Sequence, residues 1–136
     1  MKVDGVCACG AIRIEAEADP EKTQACHCTD CQTATGTAFR VSLPVAGETL
    51  KVSGKPTTYI KTTAESGRPR LQAFCGQCGT PLYSTSVGEG VQPFYTLRTG
   101  ILRQRDQLAP RRQQWWRSAW PWATTLDALP KAEKQA

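Results

Sequence analysis

Seven cysteines are the residues of this sequence best suited to metal chemistry. They form two pairs and a triplet, namely Cys7 and Cys9, Cys75 and Cys78, and Cys26, Cys28 and Cys31. Each pair is followed directly by a glycine, Gly10 or Gly79. Two sulfurs that bind one metal need a tight chain reversal, which glycine permits because it tolerates positive φ. The two pairs together therefore predict a closed, structural zinc site, the alternative being small buried cysteines without a metal.

The triplet, in the run "CHCTDC", has no fourth cysteine once the two pairs are combined. A structural zinc site is closed by four ligands, whereas a catalytic site keeps one position for water or substrate. Cys28 and Cys31 are one helical turn apart. Backbone N–H groups at a helix start favour thiolate over thiol. The triplet therefore predicts a second, open zinc site of the catalytic kind on Cys26, Cys28 and Cys31.

Two other arrangements of ligands are possible. His27 could supply a fourth ligand, but in an extended segment it points away from its neighbours Cys26 and Cys28. The triplet could instead borrow a sulfur from one pair, which would leave an incomplete site elsewhere. Near the triplet, His27 and Asp30 are candidate general acid–base groups, and the alternative for both is an ordinary solvated residue. Zinc itself is inferred from the thiolates, which also bind iron or cobalt.

The elements that must position these cysteines are predicted to be short strands. Strict alternation in "AIRIEAEA" places Ile12, Ile14, Ala16 and Ala18 on one face of a half-buried strand. Gly, Pro and Ser turns separate six further candidates, "AFRVSLPV", "ETLKVSG", "TTYIKTT", "RLQAFC", "PLYSTSV" and "PFYTLRTG". This spacing predicts a mostly antiparallel β domain. One short helix is predicted over Thr29 to Thr35, capped by Thr29 and ended by Gly36.

Length and composition are those of one globular domain. A chain of 136 residues is long enough to bury a single hydrophobic core. Its 40% hydrophobic and 21% charged residues exclude a disordered chain, and no apolar run approaches the ~20 residues that cross a membrane. We expect a zinc-binding domain over residues 1–126 and a flexible tail over 127–136.

The compartment follows from the start of the chain and from the cysteine count. The run "MKVDGVCACG" has no apolar core of a signal peptide, so we expect a cytoplasmic protein. Thiols stay reduced in the cytoplasm, which favours metal ligands over disulfides. An odd number of cysteines also fits poorly with a closed disulfide framework.

The ordered motifs of the sequence resemble the glutathione-dependent formaldehyde-activating (GFA) enzyme family, which includes centromere protein V. The resemblance runs from about Gly5 to Trp122 and is carried by "GVCACGAIRIEA", "CHCTDCQTATG", "FCGQCGTPLY", "RTGIL" and "WPW". It implies a β-tent fold of the Mss4-like type, built of small antiparallel sheets. It also implies a structural zinc on the residues matching Cys7, Cys9, Cys75 and Cys78, and a catalytic zinc on those matching Cys26, Cys28 and Cys31.

The same resemblance implies carbon–sulfur lyase chemistry, in which glutathione and formaldehyde join into S-hydroxymethylglutathione. A small thiol such as glutathione is then the expected partner. An open site of three thiolates suits this reaction, because its fourth position could hold a thiol as thiolate or polarise the aldehyde oxygen.

Basic residues are concentrated near the end of the chain. The net charge is +5, and between Gly90 and Leu126 a single acid, Asp106, accompanies six arginines, Arg98, Arg103, Arg105, Arg111, Arg112 and Arg117. Arginine forks match carboxylates, of which glutathione has two. We therefore expect arginines of the 98–117 segment to contact the substrate, the alternative being a solvated basic face.

Four tryptophans lie among these arginines, at Trp115, Trp116, Trp120 and Trp122. Arginines interleaved with aromatic rings also suit nucleic acid, so a zinc-stabilised binding module for nucleic acid or protein is the alternative function. Tryptophans close to prolines are more often core or pocket residues. We expect Trp122 to pack against the domain, and Trp115 or Trp116, on opposite faces of a final strand, to line a pocket. A zinc deaminase is disfavoured because the H-x-E motif is missing.

Overall fold

Ten short strands, one α-helix and six 3₁₀ helices of three residues each make up the regular structure of residues 1–135, the part of the chain that the computed structural model describes. The strands are β1 (Lys2–Val6), β2 (Arg13–Glu17), β3 (Gln24–Cys26), β4 (Arg40–Ala46), β5 (Lys51–Ser53), β6 (Thr57–Lys61), β7 (Arg70–Phe74), β8 (Pro81–Ser86), β9 (Phe94–Arg98) and β10 (Arg112–Gln114). The helix α1 (Thr29–Thr35) connects β3 to β4. Within residues 1–135, no helix has the length and apolar content needed to cross a membrane.

The strands form two sheets. The small sheet has the order β1-β2-β5, and the large sheet has the order β10-β3-β4-β9-β8-β7-β6. All neighbours are antiparallel except β10 and β3, which are parallel. The predicted mostly antiparallel β fold with a short helix is confirmed, and so are all seven predicted strands. Strands β1 and β3 were not predicted, because they lack the alternation that marks the others, and the final strand β10 ends before the Trp115–Trp116 position expected for it.

A single apolar core joins the two sheets. The small sheet contributes Val3 and Ile14, and the large sheet contributes Leu43 and Leu97. All four are at most 1% exposed, and each such burial is worth about 1.5–3 kcal/mol. Alternation along β2 buries Ile14 and Ala16, as the sequence predicts. The core therefore holds the sheets together on one face of each.

The other face of the large sheet is polar. Side chains of residues directly opposite in antiparallel strands project to the same face, and the pairs Cys26–Arg40, Ser42–Arg98, Ser84–Gln72 and Arg70–Lys61 are opposite each other. Steps of two residues along β4, β7 and β9 keep to one face. These positions therefore share one polar face, beside which the helix α1 lies.

Candidate metal centres

Two hairpin turns bring the paired cysteines into one cluster. One turn joins β1 to β2 and the other joins β7 to β8, so the pairs come from different sheets. Both turns contain a glycine with positive φ, 83° at Gly10 and 77° at Gly79, as the spacing predicts. The sulfur atoms of the cluster lie within 4.8 Å of one another, and its members are Cys7, Cys9, Cys75 and Cys78. A metal bound there would link the two sheets.

The four-cysteine cluster fits a tetrahedral thiolate site. The Sγ atom of Cys9 lies 3.6 Å from that of Cys7 and 3.7 Å from that of Cys75. A disulfide would need about 2.05 Å, whereas four sulfurs about 2.3 Å from a central zinc are ~3.8 Å apart. Because the observed distances match the second value, the donor set fits zinc.

The pKa values of these cysteines also favour a bound metal ion. Hydrogen bonds from the side chain and backbone of Thr80 lower the pKa of Cys78 to about 5. The Ala11 backbone lowers the pKa of Cys9, but desolvation and the neighbouring sulfurs outweigh it and raise that pKa to about 12. The Cys9 thiol therefore ionises at neutral pH only if a cation balances the charge, which is the role a divalent metal plays.

The triplet forms the second cluster. Cys26 ends β3, Cys28 precedes α1, and Cys31 lies in the first turn of the helix. Their sulfur atoms lie within 4.8 Å of one another, and all three residues are partly exposed. The structure thus groups the cysteines four and three, as the spacing predicts, and no sulfur is borrowed between the two clusters.

Cys28, and not the expected Thr29, caps the helix. Its sulfur accepts a hydrogen bond from the backbone N–H of Cys31 at 3.3 Å, while Thr29 is already the first helical residue. The capping position satisfies a free N–H and directs the sulfur toward Cys31. The predicted end of the helix at Gly36 is confirmed, with a left-handed φ of 71°.

Two sulfurs of the triplet, those of Cys31 and Cys26, have pKa values shifted in opposite directions. A hydrogen bond with Cys26, followed by desolvation, raises the pKa of Cys31. The same contact with Cys31 lowers the pKa of Cys26 despite its partial burial. As in the first cluster, three thiolates at this spacing need a cation. The donor set fits zinc with one coordination position left for another ligand.

His27 does not belong to the triplet cluster. It is 1% exposed, its Nε2 atom lies 2.8 Å from Oε1 of Gln113, and the Trp116 ring packs edge-on against it with centroids 5.2 Å apart. This position agrees with the expectation that His27 faces away from its neighbours' sulfurs. It lines neither of the cavities described next, so a direct acid–base role is not supported.

Two cavities adjoin the triplet. The arginine cavity, of about 430 Å³, is lined by Cys31 with Arg40, Arg70 and Arg98. The tryptophan cavity, of about 380 Å³, is lined by Cys28 with Glu65, Trp115 and Arg117. Both volumes are in the range of small-molecule sites. The triplet is therefore open to ligands on two sides.

A polar bridge is shared by the two cavities. The Asp30 carboxylate lies 3.1 Å from Nζ of Lys61 and accepts a hydrogen bond from the Thr63 hydroxyl at 3.0 Å. All three residues line both cavities. Desolvation raises the pKa of Asp30, but these two partners outweigh it and lower the pKa below its ordinary value. Asp30 therefore stays charged and keeps Lys61 in place.

A family model for the glutathione-dependent formaldehyde-activating enzyme matches residues 2–118 of this chain, which include both cysteine clusters. The chain belongs to this family. Membership in the GFA family associates it with glutathione-dependent formaldehyde chemistry, and its two clusters could each hold a metal ion.

Comparison with solved structures supports the fold of this GFA family member. The crystal structure of a Rhodobacter sphaeroides protein is similar, with a TM-score of 0.61 and 21% sequence identity, covering 82% of this chain and 99% of that one. At this identity the likeness bears on the fold alone. No curated protein matches the sequence significantly.

The arginines singled out in the sequence are only partly at the site of this GFA protein. Arg98 lines the arginine cavity and Arg117 the tryptophan cavity. The others point elsewhere: Arg103 pairs with Asp4, Arg111 with Glu21, Arg112 donates to Gln24, and Arg105 donates to the carbonyls of Gly100 and Leu102. Of the arginines in the 98–117 segment, only Arg98 and Arg117 therefore remain candidates for contact with a substrate.

The expectations for the tryptophans were partly wrong. The final strand β10 ends at Gln114, so Trp115 and Trp116 do not lie on its two faces. Trp115 lines the tryptophan cavity from a left-handed turn with φ 56°. Trp122 is 47% exposed and packs on Trp120 with ring centroids 5.2 Å apart, so its expected packing against the domain is wrong. The chain beyond β10 forms short turns that leave these two rings at the surface.

Three cationic residues at the site were missed, namely Arg40, Arg70 and Lys61. A signal was present, because Arg40 interrupts the apolar strand "AFRVSLPV" and arginine is seldom buried without a reason. Arg40 is in fact 8% exposed. The register that brings β4, β7 and β9 together was needed to see that these arginines meet.

Proposed function

We propose that this chain is a zinc-dependent carbon–sulfur lyase acting on a glutathione–aldehyde adduct of the S-hydroxymethylglutathione type. One observation carries the proposal: in a GFA family member, a partly exposed cluster of three cysteines lies between two cavities of ligand size. A cluster that is one ligand short of closure suits substrate binding. The four-cysteine cluster is proposed to hold a structural zinc.

The reaction is a reversible cleavage of the bond between the hydroxymethyl carbon and the glutathione sulfur. The adduct hydroxyl loses its proton as the formaldehyde carbonyl forms, and the bonding electron pair leaves with the sulfur, which takes up a proton. Cys26, Cys28 and Cys31 would hold the zinc. When bound there, Zn²⁺ supplies Lewis acidity toward a sulfur or a carbonyl oxygen.

The chain's own residues would orient the adduct and stabilise charge. Lys61 lines both cavities and is held by Asp30 at 3.1 Å. An ammonium fixed in this way can stabilise the negative charge that develops on the adduct oxygen. The lowered pKa of Asp30 makes its carboxylate a weak proton acceptor at neutral pH. We therefore assign Asp30 to the positioning of Lys61 and not to proton transfer.

Cobalt substitution tests the thiol-binding step. The d–d bands of Co²⁺ differ between a site of three sulfurs plus water and a site of four sulfurs, and the four-cysteine cluster adds only a constant background. We expect glutathione to shift the bands of the cobalt protein, whereas S-methylglutathione, which has no free thiol, leaves them unchanged. Cys28→Ser should abolish the response to glutathione.

Turnover is measured separately, by following ¹³C-formaldehyde and glutathione with NMR. The zinc protein should accelerate exchange between the free aldehyde and its adduct, and Lys61→Met should slow that exchange while the zinc content stays the same. Exchange at the uncatalysed rate, together with cobalt bands that no thiol shifts, would overturn the proposal. Salt-dependent binding of a nucleic acid in that case would favour the binding-module alternative.

A further inference from the structure

The arginine cavity is lined by more cationic than anionic side chains. Four cationic side chains and one carboxylate line it, the cations being Arg40, Lys61, Arg70 and Arg98 and the acid Asp30. Lys61 and Asp30 neutralise each other as an ion pair. A divalent metal on three thiolates has a net charge of about −1. The three arginines therefore leave this cavity with an excess positive charge of about +2.

No carboxylate of residues 1–135 forms an ion pair with any of these three arginines. Arg98 donates to the amide oxygen of Gln72 at 2.8 Å, a neutral partner. The Nε atoms of Arg40 and Arg98 are buried without any hydrogen-bond partner. Unpaired buried donors and charges are costly, so this part of the fold is destabilising unless an anion completes it.

Burial and the neighbouring guanidinium groups act together on the pKa of Arg98. Desolvation, and then repulsion by Arg40, lowers the pKa of the Arg98 guanidinium to about 9. An anion in the cavity would relieve both causes, because it offers hydrogen-bond acceptors and an opposite charge. The position of the cavity matters as well, since Cys31 and the arginines line the same space. A ligand that reaches the triplet with its sulfur can reach the arginines with another group.

We propose that Arg40, Arg70 and Arg98 form a carboxylate-binding subsite, which receives the substrate carboxylate that has no ammonium group beside it. In glutathione this is the glycyl carboxylate, because the γ-glutamyl carboxylate carries an adjacent ammonium that three guanidinium groups repel. Planar guanidinium forks match a carboxylate with paired hydrogen bonds. The identity of the ligand rests on the proposed function, whereas the anion site itself does not.

The test measures binding of S-methylglutathione and of its glycyl ethyl ester to the zinc-loaded protein by calorimetry. Neither ligand has a free thiol, and they differ only in the glycyl carboxylate. We expect the ester to bind about 10- to 100-fold more weakly, which is the usual effect of losing hydrogen bonds between charged groups.

Variants then assign that difference to the arginines. Arg70→Gln and Arg98→Gln should weaken binding of S-methylglutathione by about 10-fold or more each and leave the ester nearly unaffected. Arg13→Gln removes the same charge from an exposed position on β2 and should change neither affinity by more than about two-fold. Unchanged zinc content and circular dichroism establish that the variants are folded.

Several results would overturn the subsite. The first two are no measurable binding of S-methylglutathione by the wild type and equal affinities for the acid and the ester. The others are equal losses of affinity in all three variants, and displacement of S-methylglutathione by inorganic phosphate at a concentration below the dissociation constant of S-methylglutathione. The two proposals fail separately. If glutathione shifts the cobalt bands without dependence on Arg70 or Arg98, the lyase proposal stands and the subsite falls. If the arginines bind the carboxylate but no thiol shifts the bands and aldehyde exchange stays at the uncatalysed rate, the subsite stands and the lyase proposal falls.

Discussion

The two cysteine clusters use the same ligand atoms in opposite ways. In the four-cysteine cluster Cys7 and Cys75 are buried while Cys9 and Cys78 are exposed, and the pairs come from turns of two different sheets. In the triplet no residue is buried, and all three come from one six-residue run, "CHCTDC", beside two cavities. The first arrangement suits a link between distant parts of the chain, and the second suits access by a ligand.

The difference lies in what each cluster holds together. Cys9 and Cys75 are 66 residues apart in sequence, so a metal between them would close a long loop, which the unfolded chain closes only at an entropic cost. The triplet needs only β3 and the start of α1, which are already adjacent. Removing a cysteine from the four-cysteine cluster should therefore destabilise the whole fold, whereas removing one from the triplet should affect only the site.

The largest expected effect is that of Cys75→Ser. Structural zinc binds zinc-finger peptides with a free energy of about 10–16 kcal/mol at pH 7, which is comparable to the whole stability of a domain. Loss of this ligand should give an insoluble or partly folded product. Cys26→Ser, the matched substitution in the triplet, should stay folded with one bound metal. Thermal unfolding and metal analysis of the two variants compare them directly, and equal stability would contradict the assignment of roles.

A smaller effect is expected on metal release from the unaltered protein. Two zinc ions per chain should be found by mass spectrometry, and a mild chelator should remove the one held by the triplet first. Three ligands and a free position allow the chelator to attack, whereas four ligands exclude it. The circular dichroism spectrum should change little until the second ion leaves. The distinction between a closed and an open zinc site would be contradicted if both ions left together, if only one zinc were found, or if iron were found in place of zinc.

The clusters themselves were predictable from sequence because their spacing is local. The turn geometry at Gly10 and Gly79 follows from a cysteine pair plus glycine, and the alternation in β2 follows from "AIRIEAEA". Only the grouping of the two pairs into one cluster depends on a long-range contact, and it was predicted by counting the ligands that a closed zinc site needs.

The cavities were not predictable, because they depend on strand register. Arg40 lies opposite Cys26, and Arg98 lies opposite Ser42, and no local pattern in the sequence encodes either pairing. The same is true of the parallel pairing of β10 with β3, which turns Arg112 toward Gln24 and away from the cavities. The division at residue 126 between domain and tail stays a prediction.

The smallest expected effect concerns the glycines that follow each cluster. Gly79 and Gly36 have similar positive φ values, 77° and 71°, and a Cβ at either position would meet no atom within 4 Å. Alanine at either should therefore cost only backbone strain, about 1 kcal/mol, and lower the melting temperature by roughly 2–6 °C. Differential scanning calorimetry of Gly79→Ala and Gly36→Ala, both loaded with zinc, measures the two costs side by side. Equal losses of melting temperature would show that the clusters differ in the number and placement of their cysteines and not in the backbone of their turns. If the loss of stability in Gly79→Ala is several times that in Gly36→Ala, the backbone conformation of the Gly79 turn contributes to metal binding. The two clusters would then differ in their turns as well as in their cysteines.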